Sequence, residues 1–214
     1  GCGKSTSLYC FLSSINSVQR RIITIEEPVE YRIPGVSQID VKPEIDLTFA
    51  KGLRHILRQD PNVVMVGEIR DVETADISIR AAMTGHLVFS TLHTNDAVGG
   101  ITRLLDMDVE PFLLASVVKS FIAQRLVRTI CPACKTTYQA APELKARHGW
   151  DGNVLLARGR GCSECYDSGY RGRVGIHETL ETDPALQRLI IGESSRDELE
   201  RYVAERGVRT LLVD

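Results

Sequence analysis

The chain has 214 residues, 43% hydrophobic and 25% charged, with a formal net charge of −2. That length holds one large domain, or one medium domain with a small appendage, of ordinary globular composition. The charge balance leaves no basic footprint for nucleic acid, and no apolar run approaches the ~20 residues that cross a bilayer, so neither a nucleic-acid partner nor a transmembrane segment is expected.

The sequence opens inside a motif, without an initiating Met, and reads as a fragment. Gly1 to Thr6, GCGKST, matches the second half of G-x-x-x-x-G-K-[ST]. In that motif glycines, here Gly1 and Gly3, let backbone N–H groups approach phosphates. Lys4 then reaches the β- and γ-phosphates and Ser5 offers its hydroxyl to Mg²⁺. Cys2 contributes its backbone, and Thr6 closes the stretch. From Lys4 to about Asn16 a helix is expected, its N-terminal dipole favouring an anion.

Arg21 to Ile25 reads as a short strand that runs into Glu26-Glu27-Pro28-Val29-Glu30. Three carboxylates here make either a solvated turn or, beside a phosphate loop, a group able to orient an attacking water. Val36 to Val41 is expected to be a partly exposed strand. Thr48 to Gln59 places Phe49, Leu53, Ile56 and Leu57 at helical spacing. Arg54 and Arg58 share a face of that helix, either solvated and ion-paired or aimed at a neighbouring subunit's nucleotide.

The centre of the chain is Pro61 to Asp96. The apolar run Val63 to Val66, closed by Gly67 and followed by Glu68, reads as a strand buried on both faces. A carboxylate at the carboxyl end of such a strand stands at the mouth of an open α/β sheet, where ligands bind. Asp71 to Gly85 reads as a helix, with Asp71 its N-cap and Gly85 its stop. A second buried strand, Leu87 to Leu92, delivers His93 to the same edge. Strand, helix and strand form a βαβ unit whose polar ends converge on a site, with His93 a candidate γ-phosphate sensor. His86, at the helix–strand junction, is a structural hydrogen-bonding group or a catalytic one. His55, His148 and His177 have no context beyond surface or packing.

A helix is expected from Asp96 through Leu105, another over Pro111 to Arg128, and a third over Ser195 to Arg206. The third carries a Ser195/Glu198 capping box and a Gly207 stop. An apolar Leu211-Leu212-Val213 follows without a continuation.

Cys131-Pro-Ala-Cys134 and Cys162-Ser-Glu-Cys165 are two C-x-x-C pairs. Nothing points to secretion of this chain, so disulfides are the weaker reading. Two such pairs complete a tetrahedral S₄ site that suits Zn²⁺, and four sulfurs leave no open position for water, which makes the site structural. A redox dithiol is the alternative. Residues 135–161 have few periodic apolar positions, so a bound metal would staple a segment with little core of its own. Cys2 and Cys10 stand alone.

Together these motifs resemble the secretion ATPase superfamily, in its GspE and PilB branch, over nearly the whole chain. GCGKST resembles the end of Walker A; TIEEPVEY (Thr24 to Tyr31) the Asp box; Val63 to Glu68 with Ile69-Arg70-Asp71 the Walker B motif; TGHLVFSTLHTND (Thr84 to Asp96) the His box. The four cysteines match the tetracysteine zinc module of that branch. The resemblance implies an α/β fold: a RecA-like P-loop NTPase sheet with helices on both faces, plus a small zinc-binding tetracysteine module. The chain would divide into an ATPase domain over 1–128, the module over 129–170 and a C-terminal helical part of the ATPase domain over 171–214.

Roles follow from the same resemblance: Glu26 activates the hydrolytic water, Glu68 holds Mg²⁺ directly or through water, and His93 contacts the γ-phosphate of ATP. Glu30, Arg54, Arg58, Arg70 and His86 are secondary candidates. The implied assembly is a hexameric ring of identical subunits. It would be cytoplasmic, peripheral to the inner membrane, and would engage the membrane platform and cytoplasmic-domain proteins of a secretion or pilus machine. Glu27 and Asn62 depart from the family pattern, each standing where Asp is usual. VEPFLLAS (Val109 to Ser116) and QRLVRTICPAC (Gln124 to Cys134) resemble the type II secretion version more than the type IV pilus assembly version. A nucleic-acid-translocating motor would need a basic stripe and stacking aromatics, which are missing. A non-hydrolysing scaffold would be expected to lack Lys4, Glu26 or Glu68, and all three are present.

Overall fold

The computed structural model describes residues 2–211, so Gly1 of the phosphate motif and the terminal Leu212 and Val213 lie outside the described residues. The chain opens on α1 (Lys4–Ile15) and runs into β1 (Ile22–Glu26). The partly exposed β2 (Val36–Asp40) follows, and Thr48 then caps α2 (Phe49–Leu57) by accepting the Lys51 amide. β3 (Val63–Val66) leads through Glu68 to α3 (Val72–Met83), whose N-cap Asp71 accepts the Thr74 amide at 2.7 Å. Gly85, at φ 97°, turns the chain into β4 (Leu87–Ser90). Asp96 caps α4 (Ala97–Leu105) in the same way, and α5 (Pro111–Val117) comes next.

The four strands form one parallel sheet in the order β2-β1-β3-β4. Helices on both faces explain why β1 and β3 are buried along their whole length. Alternate residues of each strand enter different cores, because side chains in a strand alternate in direction. Ile22, Val63 and Met65 pack with Leu8, Tyr9 and Leu12 of α1. Ile23, Ile25, Val64 and Val66 pack with Phe49, Leu53 and Ile56 of α2 and with Ile77 of α3. The α2 backbone approaches β1 so closely that a Cβ on Gly52 would stand 2.0 Å from Cδ1 of Ile25.

Two expectations need correction. The strand expected to be buried over Leu87 to Leu92 is instead partly exposed: among the described residues β4 is the outer strand of the sheet, beside β3, and Leu87 is 44% exposed. The helix expected over Pro111 to Arg128 stops at Val117. Val118 is extended (φ −69°, ψ 127°), and the chain continues as β5 (Ser120–Ile130). The apolar spacing around Phe121 and Ile122 also fits a helix, but a run rich in β-branched and aromatic residues suits a pleated surface better.

After β5 come β6 (Lys135–Gln139), α6 (Pro142–His148) and β7 (Leu155–Gly159), with β6 and β7 paired antiparallel. β8 (Tyr170–Glu181) pairs with β5, and α7 (Pro184–Ile191) and α8 (Arg196–Glu205) complete the described chain. The Ser195/Glu198 capping box is present, and Gly207 stands at φ 71°. Two compact units result: residues up to Gln124 together with those from His177 onward, and Arg125–Ile176. In the first unit α4, α5, α7 and α8 share an apolar core with Ala75 and Ile79 of α3.

Candidate nucleotide site and metal centre

Three strand ends meet at one edge of the sheet. The register pairs Ile25 with Val66 and Val66 with Ser90, so Glu26, Glu68 and the turn leading to His93 emerge side by side. Lys4 and Ser5, at the start of α1, face the same edge across a cleft of about 280 Å³ that also takes in Glu27, Glu30, Arg70 and Thr91. This is the crevice outside the carboxyl ends of parallel strands where ligands of open α/β sheets bind. Gly3 precedes the helix in the left-handed region (φ 84°, ψ 18°) and no side chain caps α1, which leaves its first amides for a ligand.

Glu68 is the best-held acid. It is 8% exposed, its Oε2 lies 2.8 Å from Nε2 of His93, and its Oε1 lies 2.5 Å from Nη2 of Arg70. Burial alone would raise its pKa; the bonds from His93 and Arg70, and the Arg70 charge, outweigh that and hold the carboxyl below its ordinary value. An ionised carboxylate can only accept, so Nε2 of His93 is the donor. Arg70 also reaches Oε2 of Glu27 at 3.4 Å and so spans two acids.

Glu26 is held differently. Only 4% exposed, it accepts on Oε1 from Thr24 Oγ1 and from Gln38 Nε2 (3.1 Å), and on Oε2 from the Tyr9 hydroxyl. The described residues thus fill three of the about four acceptor positions on a carboxylate. Burial, and after it the bond to Glu26, push the Tyr9 phenol up to about 12, so it stays a donor at any physiological pH.

The structure thus brings together Lys4, Ser5, Glu26, Glu30, Glu68, Arg70 and His93. Cys2, Gly3 and Thr6 lie beside the cleft without lining it. Arg54 and Arg58 do not line the cleft: Arg54 pairs with Glu73 at 2.7 Å, and Arg58, at the end of α2, is exposed. His86 closes the end of α3, its Nδ1 2.9 Å from the Ala81 carbonyl oxygen. A larger, mostly apolar cavity of about 610 Å³ runs along the open side of β4, but its lining has none of these acids, so the chemistry belongs to the smaller cleft.

Sequence reasoning missed Tyr9, Thr24, Gln38 and Gln124. Gln124 braces the phosphate loop, donating to the Cys2 carbonyl at 2.9 Å and accepting from Ser7 Oγ at 2.6 Å. A signal existed for Thr24, which shares a strand face with Glu26 two residues on.

In the second unit Cys131, Cys134, Cys162 and Cys165 converge, their sulfurs all within 4.8 Å of one another. Zn–S bonds of about 2.3 Å in a tetrahedron require S···S edges of about 3.8 Å. The observed 131–162, 134–165 and 162–165 separations are 3.9, 3.9 and 3.7 Å. Burial would raise the Cys165 thiol, but amide donors from Cys162 and Gly169, each 3.3 Å from its sulfur, outweigh it and bring it down to about 7.

The family model for "Type II/IV secretion system protein" matches residues 1–214. The chain belongs to that family. As a member it is 54% identical over 207 residues to the type II secretion system ATPase E of Vibrio cholerae, covering 95% of this chain and 41% of that protein. Identity to the type II secretion system protein E of Pseudomonas aeruginosa is 53% over 209 residues, 97% of this chain and 42% of the relative. The chain therefore spans about two fifths of the length of these curated relatives. Among solved structures, the pilus retraction motor PilT with bound ADP is similar at TM-score 0.69 and 31% identity, covering 95% of this chain and 51% of that one.

Proposed function

We propose that this member of the type II/IV secretion family is the ATP-hydrolysing part of a motor that powers type II secretion by driving pseudopilus assembly. The observation that carries the reading is the meeting of Lys4, Glu68, His93 and an acidic loop at one strand-end cleft. Lys4 and the first amides of α1 hold the β- and γ-phosphates. The Ser5 hydroxyl and the ionised Glu68 are hard oxygen donors of the kind Mg²⁺ takes, and the bound ion would neutralise phosphate charge. His93, oriented by Glu68, presents its ring to the γ-phosphate. Glu26 orients the attacking water, and Glu27 and Glu30 are further acids of the same loop facing the cleft. Positioning and charge stabilisation are nearly all that phosphoryl transfer asks of a protein.

The four cysteines hold one structural Zn²⁺ that staples residues 125–176, a unit with little apolar core. The working form is a hexameric ring at the cytoplasmic face of the inner membrane, engaged with the platform proteins of the secretion machine. Type II secretion is favoured because the relatives that match this chain at 54% and 53% identity are named as type II secretion proteins. The test is steady-state ATP hydrolysis by the full-length protein beside its Lys4→Ala variant. Turnover lost with Lys4 supports the motor; ATP binding without turnover, even with lipid and platform proteins present, refutes it.

A further inference from the structure

Tyr9 does more than fill space beneath α1. Its side chain is 1% exposed, and its hydroxyl is used twice: it donates to Oε2 of Glu26 and accepts the backbone N–H of Glu30 at 3.2 Å. Its ring also meets that of Tyr31 edge-on, with centroids 4.5 Å apart. One phenol therefore joins the helix that begins with Lys4 and Ser5 to both ends of the acidic loop. From the strand side Gln38 completes the hold, donating through Nε2 to Glu26 Oε1 and to the Tyr31 carbonyl (3.2 Å) while its Oε1 accepts the Ile33 amide at 2.6 Å.

A ring that served only as core would need no hydroxyl, and a buried hydroxyl must find partners or cost stability. Here both partners belong to the loop whose carboxylates line the cleft. We propose that Tyr9 is a positioning residue for hydrolysis: its hydroxyl sets the distance between the phosphate-binding helix and the Glu26–Glu30 loop, acting through the acids it holds. The proposal rests on the functional reading above and adds a division of labour to it. Lys4 and Ser5 bind; Tyr9 aligns the acids against what they bind.

The consequence is separable in kinetics. Tyr9→Phe keeps the ring and removes both bonds, so the loop loses its register while the phosphate cradle stays intact. In the full-length protein, kcat should fall about ten- to a hundredfold, because a misplacement of about 1 Å is enough for that. KM, and the Kd of a fluorescent ATP analogue, should stay within about twofold of the parent, as expected when an interaction serves the transition state and not binding. A merely structural role would move the melting temperature without this split. A kcat within about twofold of the parent, or KM and Kd rising together at unchanged kcat, overturns the proposal. If Tyr9→Phe does not fold, Gln38→Leu releases the same carboxylate without touching α1. It should show the same split, and an unchanged kcat in that folded variant overturns the proposal equally. A parent lacking Lys4-dependent turnover overturns the functional reading and this proposal with it; a parent that turns over beside an unaffected Tyr9→Phe overturns this proposal alone.

Discussion

Nε2 of His93 donates to Oε2 of Glu68 across 2.8 Å, joining the ends of two adjacent parallel strands. The bond ties the orientation of the imidazole to the ionised state of the acid. Glu68→Gln should therefore do two things: remove the charge that would hold Mg²⁺ on the proposed reading, and loosen His93. In the full-length protein we expect turnover to drop about a hundredfold or more, while ATP still binds through Lys4. Near-normal turnover in Glu68→Gln, measured with a coupled phosphate-release assay, would refute the role given to Glu68.

Acid sensitivity follows from depressed carboxyls, Glu68 and Asp183 among them. The Glu68 pKa is lowered by His93 and Arg70 against its burial. The Asp183 pKa is lowered first by the Leu186 amide that it caps at α7, then by the Tyr202 hydroxyl. A carboxyl whose folded pKa lies below its unfolded value stabilises the fold above the unfolded pKa, and that contribution is lost as pH falls through the folded one. Melting temperature should thus hold on acidification until pH passes below about 4, the unfolded carboxyl range, and then fall. A decline already complete by pH ~6, in the histidine range, would show that other groups govern acid stability.

Metal removal should act on one unit only. The chain as isolated is expected to hold one zinc, and a strong chelator should unfold residues 125–176 first, because binding free energy is folding free energy in a segment of this kind. Hydrogen exchange read separately over the two units checks this. Cys162→Ser should reproduce the effect, and equal loss of protection in the parallel sheet would sink the idea of a local staple.

Gly52 is required by contact. A Cβ there would meet Cδ1 of Ile25 at 2.0 Å, so the side chain must shift within a filled core. Gly52→Ala should cost about 1–3 kcal/mol as overpacking, offset in part by the better helix propensity of alanine. Urea unfolding gives the value, and an increase in stability would mean that the α2–β1 packing is looser than described.

Much of the cleft was legible because its residues advertise themselves locally. Gly3-Lys4-Ser5 lies at a helix start, Glu68 and His93 each follow an apolar run, and the cysteines come in pairs. What could not be read is long-range. Nothing near Tyr9 in sequence says that its hydroxyl meets Glu26, nor that Gln38 does so from the next strand. Leu87 to Leu92 looks as apolar as Val63 to Val66, and only the sheet order makes one an edge and the other a centre. Over Pro111 to Arg128 the apolar positions fit a helical period throughout, so periodicity alone could not mark the switch to a strand after Val117.

Arg70 gives the cleft an internal counterion. With its guanidinium between Glu68 and Glu27, the acids present a muted field to an arriving polyanion that bare carboxylates would repel. On the proposed reading, Glu68 would hold Mg²⁺ with Ser5, and the Arg70 fork, whose planar geometry suits phosphate oxygens, would then be free to turn to the nucleotide. On the same reading, Arg70 returning to Glu68 would keep the acids from facing a departing polyanion unscreened.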